Sequence, residues 1–161
     1  EPAAPLPEPR NHLAGVGMNG LVYAIGGQRG HDESTEDLAF THAYDPATDS
    51  WQRRADLPTA RNHCEAAAFG WRGQIFVAGG FDSWRDLAPH SSIVRYDPES
   101  DAWSEAGFLP DPRVGPVVQM VGDTLIASSG AANLNRPPDA DTWVHGSPAD
   151  LLAPPAGIVS R

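Results

Sequence analysis

The chain alternates short apolar runs with glycine, proline and aspartate punctuation, and the runs have strand length. Three are almost continuously apolar: Leu21-Val22-Tyr23-Ala24-Ile25, Gln74-Ile75-Phe76-Val77-Ala78 and Thr124-Leu125-Ile126-Ala127. Such runs are too short for a buried helix, and their β-branched and aromatic content predicts strands covered on both faces. Each follows another apolar segment across a turn. His12–Met18 reaches Leu21 through Asn19-Gly20, a hairpin dipeptide because both residues tolerate positive φ. Glu65–Phe69 leads into the second run through Gly70–Gly73, and Pro116–Val121 into the third through Gly122-Asp123. Phe40–Tyr44 and Ile93–Tyr96 predict third strands. Asp45-Pro46-Ala47-Thr48-Asp49 and Asp97-Pro98-Glu99-Ser100-Asp101 predict turns, with Pro presetting φ and Asp accepting nearby N–H groups. Fourth strands begin at Ser50-Trp51 and Ala102-Trp103.

These elements recur with one period. Leu6-Pro7-Glu8-Pro9-Arg10-Asn11-His12 aligns with Leu57-Pro58-Thr59-Ala60-Arg61-Asn62-His63, and Leu109-Pro110-Asp111-Pro112-Arg113 opens a third copy. The arginines are spaced by 51 and then 52 residues. Gly26-Gly27 recurs as Gly79-Gly80 and, weakened, as Ser129-Gly130. Tyr44-Asp45-Pro46 recurs as Tyr96-Asp97-Pro98, and Trp51 and Trp103 each follow their Tyr by seven residues. A period of this length marks units that cannot bury their own faces alone and must stack.

The double glycine after the second strand, the Tyr–Trp spacing and the Leu-Pro-x-x-Arg start of each unit resemble the kelch repeat. That resemblance implies an all-β, kelch-type β-propeller built of four-stranded antiparallel blades, here an incomplete ring of about three blades. The implied organisation is a Pro-rich arm or linker (1–9), blade 1 (10–56), blade 2 (57–108), an incomplete blade 3 (109–147) and a C-terminal tail (148–161). The double glycines would permit positive φ or close approach of a neighbouring blade. Trp51 and Trp103 would fill gaps between blades.

In the third unit, Trp143-Val144-His145 reads as a third strand, and no fourth follows. Propellers contain roughly 4–8 blades. Two explanations fit: the rest of the propeller lies elsewhere in a longer chain, which is favoured because repeat arrays need capped ends, or a second copy closes the ring.

Composition removes other classes. Hydrophobic residues make up 40% and charged residues 20%, enough apolar content for a core. The single cysteine, Cys64, excludes an intrachain disulfide framework, and no run is long enough for a membrane span. A net charge of −10 disfavours nucleic acid as a partner. The start at Glu1 is compatible with removal of a secretory signal, hence with a secreted or periplasmic protein.

The topology of an up-and-down blade places the loops Gln28–Ala39, Phe81–Ser91 and Ala131–Ala140 at one end, with the segments entering each blade. Long loops on a rigid scaffold are the usual place for recognition. The candidate ligand-binding residues there are Arg10, Asn11, His12, Arg61, Asn62, His63, Trp84, Arg85 and Arg113. An arc of arginines suits carboxylates, so an acidic peptide or anionic glycan is one expected ligand. The alternative use of each Arg is to tie carbonyls and loop acids together. No cofactor or metal is implied, and no catalytic motif of the elbow, zinc-protease or phosphate-loop type occurs. The leading expectation is a binding scaffold for a protein or glycan. The alternatives are a sugar-active enzyme resembling the sialic acid mutarotase of the kelch family, with Glu65, His63 and Arg61 at one mouth, and a self-assembling half-propeller.

Overall fold

A computed structural model describes residues 1–30, 34–82 and 88–146. The protein is all-β, with no α-helix among the described residues. The first sheet contains β1 (Ala14–Met18), β2 (Leu21–Ile25), β5 (Thr41–Asp45) and β6 (Ser50–Arg54) in that order. The short hairpin of β3 (Gln28–Arg29) and β4 (Glu36–Asp37) lies in its long loop. The second sheet has the order β7 (Ala68–Trp71), β8 (Gln74–Ala78), β11 (Ser92–Asp97) and β12 (Ala102–Phe108). Its loop carries β9 (Phe81–Asp82) paired with β10 (Ala88–Pro89). The third sheet has three strands among the described residues, β13 (Val117–Val121), β14 (Thr124–Ser128) and β15 (Thr142–His145). All pairings are antiparallel, so the molecule is an open, incomplete propeller ring.

The register makes the units comparable residue by residue. Met18↔Leu21, Trp71↔Gln74 and Val121↔Thr124 are the last pairs before three two-residue hairpins. Asn19-Gly20 and Arg72-Gly73 have φ of 51° and 79°, and 49° and 77°, the double positive φ whose twist matches paired strands. The strand entering the second sheet is therefore displaced from its expected position at Glu65–Phe69. Residues 65–67 form a turn, closed by Ala67 N–H donating to Cys64 O at 3.0 Å. Gly70 lies inside the strand, not in the hairpin. Its missing side chain leaves room for the preceding sheet, where a Cβ would meet Met18 Sδ at 3.4 Å.

The sheets meet through a continuous apolar layer. Val16 and Tyr23 of the first sheet and Phe69, Ile75, Phe76 and Tyr96 of the second are buried in it, with Val118 and Leu125 of the third. Tyr96 stands edge-on to Tyr23, with ring centroids 6.0 Å apart, so this tyrosine bridges the first seam. Trp103 is only half buried. Its ring packs on Tyr96 at 5.1 Å, and its Nε1–H donates to Ala55 O at 2.9 Å. The gap is thus shared between a Tyr facing the preceding sheet and a Trp clamping the linker.

The linker geometry repeats at the start of the chain. Ala55 N–H donates to Asp101 Oδ1 at 2.9 Å, while Tyr96 OH donates to the same oxygen at 2.6 Å. In the first sheet Ala4 N–H donates to Asp49 Oδ1 at 2.8 Å, Tyr44 OH to the same oxygen at 2.6 Å, and Trp51 Nε1–H to Ala4 O at 3.0 Å. The proline-rich start is therefore docked along the first sheet at Ala4, as the segment at Ala55 is along the second. Both aspartates are held below the usual carboxylate range, chiefly by the backbone N–H each accepts.

Beside β15, where the other sheets have a fourth strand, a cavity of about 400 Å³ is lined by Ile93, Phe108, Leu109, Leu125, Trp143 and His145. The expected tail lies outside the described residues.

Candidate functional site

The long loops and the entering segments share one end of the sheets. Each entering segment pairs with the start of the adjacent loop through two backbone bonds: Asn11 with Gln28, Asn62 with Phe81, and Val114 with Ala131, all at 2.8–3.0 Å. The double glycines complete the junction. Gly27 N–H donates to Arg61 O and Gly80 N–H to Arg113 O, both at 2.9 Å, joining one sheet to the next. A Cβ on Gly26 would stand 2.4 Å from Arg61 O, so this contact admits only glycine.

The arginines at these junctions are committed inward. Arg10 Nε donates to Gly26 O at 2.7 Å and Nη2 to Ala24 O at 3.0 Å. Arg61 is 1% exposed, with Nη1 donating to Gly79 O at 2.9 Å and Ser92 O at 3.2 Å, and Nη2 to Ser92 Oγ at 3.0 Å. Each guanidinium thus bonds carbonyls at strand ends of the sheet it enters, and burial lowers the pKa of both. Arg113 is also buried but differently held: Asp139 is 3.3 Å and Asp111 and Asp141 each 3.7 Å from Nη2, with the Trp143 ring 4.8 Å away.

His12 and His63 were a full unit apart in sequence, and the structure brings their rings into contact. The imidazoles stack with centroids 4.1 Å apart and planes 11° from parallel. Both residues have positive φ, 50° and 51°, and the third unit places Gly115 at the same position with φ of 61°. The backbone needs a left-handed residue there, which costs a non-glycine residue some strain. The stack sits within a polar chain. Asn62 is fully buried; its Nδ2 donates to Asp37 and its Oδ1 faces His63 Nδ1. The Asn62–Asp37 bond fixes the orientation of the amide, so His63 Nδ1–H is the donor to Asn62. On the other side His12 Nδ1 lies 2.9 Å from Glu65 Oε1. The chain runs Asp37–Asn62–His63, across the stack to His12, then to Glu65.

Trp84 and Arg85 lie outside the described residues. Among the described residues no group of three or more His, Cys, Asp or Glu side chains is placed to hold a metal ion. Cys64 is fully buried beneath the rim, and burial pushes its thiol up to about 12. Sequence reasoning placed Glu65 at the mouth, but Asp139 and Asp141 escaped it, because no repeated neighbour marks them.

The stacked sheets, the twin glycines and the repeated Tyr–Asp–Trp–linker clamp define a kelch-type propeller. The Kelch motif family model matches residues 9–58 and 62–107. The chain belongs to the kelch-repeat family. It is 32% identical over 117 residues to Kelch-like protein 36 of Mus musculus, covering 71% of this chain and 19% of that protein. To Beta-scruin of Limulus polyphemus it is 35% identical over 114 residues, covering 69% of this chain and 12% of the relative. The chain therefore spans about a fifth or less of the length of these relatives. The solved structure of YjhT superposes with a TM-score of 0.71 at 22% identity, covering 81% of this chain and 48% of that one.

Proposed function

We propose that the chain is a protein-binding scaffold whose long-loop end takes a cationic segment of its partner. A stack of sheets holds three long loops at one end, while the described residues of the other end form two-residue hairpins and tight aspartate turns. That asymmetry favours recognition at the loop end.

The observation that carries the charge preference is the fate of the arginines. Arg61 and Arg113 are 1% and 3% exposed, and Arg10 is half buried. Their donors are directed to carbonyls and loop acids of the protein itself, which supports the scaffold use of these groups over an outward arc for anions. Carboxylates at the same end stay open to solvent: side-chain exposure is 60% for Glu36, 45% for Glu65 and 45% for Asp139. A net charge of −10 adds long-range attraction for a basic partner.

A displayed peptide library panned against the chain tests this reading. Lys/Arg-bearing sequences should be enriched, and their capture should weaken in Glu36→Ala and Glu65→Ala but not in Arg72→Ala at the opposite end. Enrichment of acidic peptides would overturn the charge preference. Selective binding on a sialylated glycan array, or acceleration of anomer exchange in a sugar acid followed by NMR, would favour the carbohydrate reading instead.

A further inference from the structure

The imidazole stack at the loop end stops one unit short. His12, His63 and Gly115 hold the same position in successive units, with φ of 50°, 51° and 61°. The first two carry rings that stack with centroids 4.1 Å apart. The third backbone position touches the second, since Gly115 N–H donates to His63 O at 2.9 Å. Glycine puts no ring there, and a Cβ on Gly115 would meet no described atom within 4 Å. The seam between the second and third units therefore keeps open space beside His63, where the repeat would set a further flat side chain. Its two walls are both units of this chain.

The charges around that space are mainly negative. Arg113, two residues before Gly115, has Asp139 at 3.3 Å and Asp111 and Asp141 each at 3.7 Å from Nη2, so three carboxylates face one guanidinium. Asp139 N–H donates to Gly130 O, and the next residue, Ala131, pairs with Val114, which brings the Asp139 segment to the Gly115 wall. On the other wall, Glu65 is exposed two residues after His63. His63 Nδ1–H donates to Asn62, and Asn62 donates to Asp37. Donors running toward a carboxylate push electron density onto the imidazole, and its ring then attracts a cation more strongly. We propose that the space over Gly115 receives an arginine side chain of the partner, with its guanidinium extending the stack of His12 and His63. This rests on the cationic-segment reading above and adds that the cation is planar. A guanidinium offers a flat face to a ring and a fork to carboxylates, and an ammonium group offers neither. The chain makes the same kind of contact with its own arginines: Arg53 lies 3.9 Å from the centroid of the Phe40 ring and Arg72 4.3 Å from that of Trp71.

The test uses the whole chain and two blocked tripeptides, Gly-Arg-Gly and Gly-Lys-Gly, titrated by NMR. The arginine peptide should shift the Gly115 amide and the His63 ring protons saturably, and bind about threefold more tightly than the lysine peptide. Gly115→His fills the space with the side chain that the other two units carry. It should fold, because His12 and His63 already hold this backbone conformation, and its thermal midpoint should stay within about 4 °C of the parent. The arginine preference should disappear in it, leaving both peptides at the affinity of the lysine peptide. His63→Gly, which keeps positive φ and removes the platform, should erase the preference by an independent route. Equal binding of the two peptides, shifts confined to other residues, or a preference that survives Gly115→His would overturn the proposal. Equal binding that weakens in Glu65→Ala would do so while leaving the cationic-segment reading intact. An arginine-specific shift at Gly115 that ignores both Glu36→Ala and Glu65→Ala would keep the stacking site and remove the charge reading. Binding of neither peptide up to about 10 mM would overturn both.

Discussion

Ile75 and Val22 stand at the same register position in successive sheets, one 0% and the other 47% exposed. Phe76 and Ile126 form a second such pair, the first fully buried and the second only half buried. The strands are alike in length and apolar content, so the difference lies in their neighbours. The second sheet is flanked on both sides, while the first and third are each flanked on one. A blade's stability is thus largely a property of its seams. The same contrast appears in the arginines. Arg61 in the flanked sheet is sealed by strand-end carbonyls and a serine, whereas Arg113 in the three-stranded sheet relies on loop aspartates and a tryptophan ring.

The largest effect should come from emptying a seam. Ile75→Ala should cost about 3 kcal/mol, whereas Val22→Ala should cost under about 1 kcal/mol in urea unfolding at low protein concentration. Equal losses would show that the outer face is already covered there. Next in size is the glycine contrast. Gly26→Ala must place a Cβ 2.4 Å from Arg61 O at a φ of 63°, so the seam must shift. A loss of about 2 kcal/mol is expected, while Gly17→Ala, with open space and ordinary φ, should be neutral or slightly stabilising. A neutral Gly26→Ala would mean that the sheets are not joined as described.

Smaller effects should follow from the linker clamps. Trp103→Phe removes the donor to Ala55 O and should lower stability by about 1 kcal/mol. Trp51→Phe removes the matching bond to Ala4 O, and it should cost less because the Tyr44–Asp49 bond beside it is exposed, whereas Tyr96–Asp101 is partly buried. Thermal melts of the two variants would rank them, and a reversed order would place the stronger clamp at the start of the chain.

The smallest change should be a pH dependence. Burial, reinforced by Arg10 and Arg53, lowers the pKa of His42, and burial together with Arg61 lowers that of His90. Both groups favour the neutral form when folded. Below about pH 6.5 the unfolded chain binds more protons than the folded one, so stability falls as pH drops from there toward the folded values. A urea midpoint lower at about pH 5 than at about pH 7.5 is expected, with a weaker dependence in His42→Gln. A midpoint that rises on acidification would reverse the assignment.

Much of the architecture was legible because it repeats. Tyr96, Asp101 and Trp103 are recognisable beside Tyr44, Asp49 and Trp51, since each clamp needs a hydroxyl, a carboxylate and an indole at set spacing. The displacement of the second unit's entering strand was not legible. Gly70 to Gly73 contains two glycines, and only the packing of Met18 decides that one lies in the strand and the other in the turn. The destination of the arginines was equally hidden. A guanidinium beside an innermost strand can reach outward to a ligand or inward to carbonyls, and local sequence does not distinguish these.

The sequence by itself determined the unit. Strand lengths and turn chemistry follow from local backbone preference and from one period of 51–52 residues. The tertiary structure alone decided which side chains of that unit are covered, that His12 and His63 touch, and that the arginines are consumed inside the scaffold. The physical reason is that a backbone preference acts within a few residues, while burial and stacking depend on what lies about fifty residues away and across a seam.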